Sequence, residues 1–412
     1  MKIAISKNLE KLAKLFPCEI YVVGGYIRNQ IMGIENEDVD IVSKLSLAEV
    51  ESLLEGSSFA FKVKSKTLGS ALISVGDEKY EYTTLRRDFY KEGGAHMPER
   101  VEFVDSIEED AKRRDFACNA IYYDIKNDKI YDFYGGIEDI GKKIIKAVET
   151  PDEVLSHDGV RILRLFRFQC ELNFKIDKPT LLAAFKYKTN LHDVSGERVI
   201  YEITRILHSP DKYPGISKPK AYMKALKNFN RGGLWPSVGI DCNRLNFKMV
   251  KKVEHKSQGF LIDVIDNVNP ISISYYLNLI LSNSFGLSKK MCEYYINILS
   301  GYYAALNVEQ NKPYFFKYFD NFPQILALLK CKSKYLANKY EFFYKYIISH
   351  KLVVSTKDLK ITGEDIKINY PTVKPNRFKP ILDSLLSDVF DGVVSNEKDA
   401  LIKQVESKLK YL

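Results

Sequence analysis

The tightest constraint in this chain is the stretch 22–43. An apolar run ends in Gly24-Gly25, a short helix-compatible segment (Tyr26 to Met32) stops at Gly33, and Asp38-Val39-Asp40-Ile41-Val42 follows. The first run reads as a strand delivering a tight turn. The last reads as a strand whose period of two puts Asp38 and Asp40 on one face and Val39 and Ile41 on the other. Two neighbouring carboxylates repel, and a fold tolerates them best with a cation between them. A hard, oxygen-loving ion such as Mg²⁺ is commonly held by one or two carboxylates plus substrate phosphates. The Gly-Gly turn leaves backbone N–H groups free to approach a phosphate. Taken singly, a Gly-Gly is usually a turn and an Asp-x-Asp a solvated strand face. Together, with twelve residues between Gly25 and Asp38, they outline a nucleotidyl-transfer site.

The chain has 412 residues, too many for one ordinary core, so several domains are expected. Its 45% hydrophobic and 28% charged content is that of a soluble globular protein, and no apolar run approaches bilayer length. The N-terminal residues lack the apolar core of an export signal. Six scattered cysteines without a Cys-x-x-Cys argue against zinc or a disulfide framework and for a reducing cytoplasm. A net charge of +9 suits a polyanionic partner without requiring one.

Alternation predicts strands over 59–64, 70–75 and 79–84, with a turn at 75–79. A helix is expected from Ser46, its cap, with Glu49 three residues on. Glu81 is an acid on the last of these strands, and two roles stay open for it: an exposed cross-strand charge or a third catalytic carboxylate. Leu85–Arg100, with Gly93-Gly94 and Pro98, reads as a polar loop. Further on, Arg113-Arg114-Asp115-Phe116-x-x-Asn119-Ala120 joins two guanidinium forks, suited to phosphate oxygens, to an Asp and an Asn able to bond ribose hydroxyls. Residues 152–170 are expected as one helix carrying Asp158, Arg161 and Arg164. An Asp and an Arg three apart ordinarily form a surface ion pair worth under about 1 kcal/mol. Basic segments at 209–231 and 330–351, the second interleaved with Tyr and Phe, are either phosphate-contacting surfaces or solvated helix faces.

In its order and spacing, the turn and acid pair resemble the signature of the DNA polymerase β nucleotidyltransferase superfamily. The eight-residue string from Arg113 to Ala120 resembles that of class II tRNA nucleotidyltransferases and bacterial poly(A) polymerases, and Asp132-Phe133-Tyr134-Gly135-Gly136 resembles their next motif. The tail, with Leu359, Ile361, Gly363, Ile381, Leu385 and Asn396, is similar to that of Bacillus-type CCA-adding enzymes.

The resemblance implies an α+β head built on a polymerase-β-like mixed sheet with flanking helices, followed by an all-α neck, body and tail. The expected boundaries are 1–140, 141–210, 211–350 and 351–412. It implies that Asp38 and Asp40 bind two Mg²⁺ ions, with Glu81 as a possible helper, and that Gly24, Gly25 and Arg28 cradle a triphosphate. Arg113, Arg114, Asp115 and Asn119 would hold ribose and phosphates. Asp158 and Arg161 would read the base, accepting from the exocyclic amine of cytosine or adenine where uracil and guanine present a carbonyl, and Arg164 would support them or a phosphate. The implied partners are tRNA, CTP and ATP, with no membrane; the oligomeric state is open. The implied reaction is template-independent CCA addition, with poly(A) or A-only synthesis as the near alternative and a catalytically silent RNA-binding protein as the distant one. The chain departs from the family pattern at Asn29, where an Asp is usual, at His157, where an acid is usual, and in the tail at Asn376-Arg377-Phe378, where a glycine-rich turn is usual.

Overall fold

The computed structural model describes residues 3–35, 38–90, 98–307 and 312–409, and it separates into two compact units. The first comprises Met1–Asn246 with Ile280–Leu287, the second Phe247–Leu279 with Ser288–Leu412. No helix among the described residues is long and apolar enough to cross a membrane.

The first unit opens with α1 (Lys7–Leu15), whose N-terminus is capped by the Ser6 hydroxyl accepting from the Leu9 N–H. Strand β1 (Tyr21–Val23) leads into α2 (Gly25–Ile31), and β2 (Val39–Ser43) follows. Helix α3 (Leu47–Leu54) carries the expected capping box between Ser46 and Glu49. Strands β3 (Ala60–Ser65), β4 (Ser70–Val75) and β5 (Glu78–Thr84) match the alternating stretches closely. The seven-stranded sheet has the order β3-β4-β5-β2-β1-β8-β9, where β8 is Ile121–Asp124 and β9 Lys129–Asp132. Pairing is antiparallel except between β2 and β5, which makes the sheet mixed. Val22, Val23, Ile41, Tyr80, Tyr82 and Tyr122 are buried within or against this sheet.

Two expectations are corrected. Leu85–Arg100 is not a loop throughout: β6 (Arg86–Phe89) and β7 (Arg100–Phe103) pair antiparallel. Arg86 and Asp88, two apart and so on one strand face, hold β6 by an ion pair of 2.8 Å. Gly93 and Gly94 lie outside the described residues. Residues 152–170 are not one helix but two, α6 (Pro151–His157) and α7 (Val160–Glu171), broken at Asp158. Asp158 has extended backbone, and its Oδ1 accepts from the Val160 N–H at 2.8 Å, an Asp side chain competing with the helix ladder for a backbone donor. Gly159 fits because a Cβ there would lie 2.3 Å from the Asn190 carbonyl oxygen. Ser195 precedes the helix Gly196–Leu207, and its side chain makes no capping bond.

Between these elements lie α4 (Ile107–Lys112) and α5 (Gly136–Lys142); α8 (Lys178–Lys186), α9 (Gly196–Leu207), α10 (Ser209–Lys212) and α11 (Tyr222–Gly232) complete the helical part of the first unit. Arg167 on α7 bonds Glu202 on α9 at 2.6 Å and Glu171 at 3.0 Å, and Arg205 also binds Glu171. Three of these four groups are buried, and each charge has a partner, the condition under which buried charge is tolerated.

The second unit is helical. Tyr314, Phe315, Phe322 and Tyr340 form an aromatic cluster within it, and Leu359, Ile361, Ile366, Ile381, Leu385, Leu386, Leu401 and Val405 form a core near its C-terminus. Asn396 closes that core by accepting from the Lys360 N–H and donating to the Asp358 carbonyl.

Candidate active site

A cleft of about 490 Å³ opens in the first unit. Its walls include Gly24, Gly25 and Arg28 from the β1–α2 turn, Asp38 and Asp40 from β2, Arg113, Arg114, Asp115 and Asn119, and Asp158, Arg161 and Arg164. These residues span 140 positions of sequence from Gly24 to Arg164, and the sheet and α7 bring them to one place. Glu81 is not among the lining residues.

The acids sit where β1 delivers its turn. Val23 is the register partner of Asp40, so Gly24 emerges beside that carboxylate. Gly24 has φ +78°, a conformation L side chains rarely adopt, and a Cβ on it would lie 3.6 Å from Asp40 Oδ2. The Asp40 carboxylate reaches solvent but stands at the base of a protein-lined cleft. Loss of hydration there, opposed by Arg114 and reinforced by Glu81 and Asp38, pushes its pKa up to about 6. Asp38 is open to solvent, with the Lys212 ammonium 3.7 Å from its Oδ2.

Glu81 faces Asp40 across the parallel β2–β5 pairing. Its carboxylate is 60% exposed and bonds Lys64. Among the described residues, no cluster of three or more His, Cys, Asp or Glu comes together. Two mutually repelling carboxylates open to the cleft still fit a hard divalent cation whose remaining oxygen ligands are substrate phosphate and water.

Behind the acids, the Arg113-Arg114 pair is organised by a residue the sequence reading passed over. Asp110, fully buried, binds Arg113 Nε at 2.9 Å and Arg114 Nη2 at 3.1 Å, and accepts from the Tyr122 hydroxyl at 2.7 Å and the Arg86 N–H at 3.1 Å. Burial alone would raise its pKa; Arg113, Arg114 and these hydrogen bonds outweigh burial and hold it at about 2. The signal was present in the sequence, since Asp110 stands three and four residues before the two arginines, about one helical turn away at the end of α4.

Asp115 is the second hub. Its Oδ1 accepts from Asn119 Nδ2 at 3.2 Å and from the Phe116 N–H, and its Oδ2 takes both Nε and Nη2 of Arg164 at 2.8 and 2.6 Å. Against burial, Arg164 above all holds its pKa at about 2. Asn119 in turn accepts from Arg28 Nη1.

At the α6–α7 break, Asp158 and Arg161 are both buried in the cleft wall, Arg161 Nε lying 4.0 Å from Asp158 Oδ2. Arg161 is fixed by the Val154 and Arg113 carbonyls, at 3.1 and 2.6 Å. Tyr90, at the end of β6, places its ring 5.5 Å from the Arg161 guanidinium and stacks on His157 at 5.7 Å. His157 thus packs against an aromatic ring rather than lining the cleft, and burial followed by Arg161 pulls its pKa down. Tyr90 and Tyr213 were not legible as site residues, for neither belongs to a local motif, whereas Lys212 falls within the basic segment 209–231.

The chain matches two family models: the poly(A) polymerase head domain over residues 20–146 and the RNA and SrmB-binding region of poly(A) polymerase over 173–218. It is 29% identical over 406 residues to the CCA-adding enzyme of Staphylococcus aureus strain MRSA252, covering 95% of this chain and 94% of that protein. Among solved structures, the CCA-adding enzyme of Bacillus stearothermophilus in complex with CTP has the same fold, with a TM-score of 0.66 at 22% identity, covering 98% of this chain and 96% of that one. The CCA-adding enzyme of Thermotoga maritima complexed with tRNA gives a TM-score of 0.56 at 18% identity, covering 98% and 96%.

Proposed function

We propose that the chain belongs to the class II nucleotidyltransferase family of CCA-adding enzymes and bacterial poly(A) polymerases and that it adds CMP, CMP and AMP, without a template, to the 3′ end of tRNA. CTP and ATP are the donors and pyrophosphate is released. The observation that supports this most is a single cleft onto which Asp38, Asp40, Asp158 and Arg161 all open. A catalytic acid pair and a pair able to read a base edge are thereby within reach of one nucleotide.

In this reading the tRNA 3′-hydroxyl attacks the α-phosphate in line, the P–O bond to the β-phosphate breaks, and the hydroxyl proton passes to solvent. The family depends on a divalent cation, and we take it to be Mg²⁺ because the ligand set is all oxygen. Asp38 and Asp40 would hold the ions, which when bound supply activation of the hydroxyl and neutralisation of the phosphates. The Gly24-Gly25 turn receives the triphosphate on its backbone N–H groups. Arg113 and Arg114, held rigid by Asp110, present fixed positive charge to it. Asn119 and Asp115 face the ribose. Asp158 accepts from the amine of cytosine or adenine, and Arg161, immobilised by two carbonyls, donates to the ring acceptors.

The test supplies labelled CTP and ATP to tRNA lacking its terminal CCA. Ordered incorporation of two cytidines and one adenosine is expected, abolished by chelation and restored by Mg²⁺. Long adenosine tails, or adenosine without cytidine, would point to the poly(A) or A-only reaction. Absence of pyrophosphate release would refute an enzymatic role.

A further inference from the structure

The Arg28 guanidinium, 3% exposed, lies under the Gly24-Gly25 turn with its Nη2 3.5 Å from where a Cβ on Gly25 would stand. Four hydrogen bonds hold it: Nε and Nη2 to Asn29 Oδ1 at 3.1 and 2.8 Å, Nη1 to Asn119 Oδ1, and Nη2 to the Tyr213 hydroxyl at 3.3 Å. A guanidinium has five N–H groups, so one remains. All of these acceptors are neutral, and among the described residues Arg28 forms no ion pair. Its charge is therefore fixed in place without being neutralised. Asn29 is fully buried, and with its oxygen on Arg28 its Nδ2 must find an acceptor, which is the same Tyr213 hydroxyl at 3.1 Å.

We propose that Tyr213 is a positioning residue for the triphosphate. Its hydroxyl, the shared acceptor of Asn29 and Arg28, locks the arginine beneath the Gly-Gly turn and lets a neutral amide stand beside it. The charge under the turn stays available to a polyphosphate, and Asn29 and Tyr213 act as one device. A phenylalanine at 213 would strand the Asn29 Nδ2 and one Arg28 N–H in a buried site. A carboxylate at 29 has no stranded donor and would hold Arg28 by an ion pair, so it should restore the arginine's position without the phenol while offsetting part of its charge, a partial rescue. This inference rests on the triphosphate site assigned above.

The test compares the wild type with Tyr213→Phe and with Tyr213→Phe combined with Asn29→Asp. Binding of inorganic tripolyphosphate with Mg²⁺ is measured by calorimetry, and KM and kcat for CTP and ATP are measured separately. The single variant is expected to weaken tripolyphosphate binding and raise both KM values about tenfold, with kcat within about twofold, the signature of lost uniform binding. The double variant is expected to recover to within about threefold of wild type. Unchanged binding in Tyr213→Phe would overturn the proposal. So would a loss that Asn29→Asp fails to rescue, since that marks a merely structural tyrosine. Should the wild type bind tripolyphosphate yet incorporate neither nucleotide, the assigned reaction falls while the Tyr213 device is judged on tripolyphosphate binding alone.

Discussion

Asp40 and Glu81 are register partners across the one parallel pairing of the sheet, yet Asp40 opens into the cleft while Glu81 turns to Lys64. Partners in register share a face, so the two carboxylates are close enough for Glu81 to help raise the Asp40 pKa. They are nevertheless expected to differ greatly in importance. Asp40→Ala should lower kcat by at least about a thousandfold with tRNA binding retained, whereas Glu81→Ala should cost on the order of tenfold or less. Single-turnover incorporation rates measure both, and a loss at Glu81 equal to that at Asp40 would make it a full member of the metal site.

Asp158 uses Oδ1 for the Val160 N–H. An asparagine keeps that acceptor but turns the other carboxylate oxygen into a donor. Asp158→Asn should therefore fold normally while losing discrimination at the base, by about 1–3 kcal/mol or roughly tenfold to a hundredfold. Misincorporation of UMP and GMP against CMP and AMP is the readout; an unchanged ratio would remove Asp158 from base reading.

The acid limb of stability should bear the mark of Asp110 and Asp115. Both are held near a pKa of about 2, below the ordinary carboxylate value of 3.8. A carboxylate whose folded pKa is depressed contributes stability above its unfolded pKa and loses it as pH falls through the folded one. The loss should therefore develop from about pH 4 down to about pH 2, on the order of 2 kcal/mol for each group. Denaturant unfolding over that range measures it. Asp110→Asn should be less stable at neutral pH by about 3 kcal/mol, since it leaves two arginines short of a partner, and its acid limb should be flatter.

Gly24→Ala tests the turn directly. The strain of φ +78° for an L residue should lower stability by about 1–3 kcal/mol. The new methyl beside Asp40 should raise KM for both nucleotides. A melting curve and a KM measurement together check this, and a variant with wild-type values in both would show that the turn tolerates a side chain.

Local chemistry was enough to read the Gly-Gly turn, the Asp-x-Asp strand, the Arg-Arg-Asp string and the capping box at Ser46 from the sequence, because each depends on neighbours within a few residues whose spacing fixes their geometry. The alternation of β3, β4 and β5 and the apolar positions of the tail core were legible for the same reason. What the linear chain could not disclose is which residues share a hydroxyl or a carbonyl across the fold. The break at Asp158 depends on Gly159 passing close under the Asn190 carbonyl, and the hold on Arg161 comes from Arg113, 48 positions away. Tyr213 meets Asn29 across 184 positions, with no motif to announce it. The sequence by itself determined which chemical groups the site contains. Tertiary structure decided which donors meet which acceptors, since a buried polar group must be satisfied by whatever partner the packed chain brings to it.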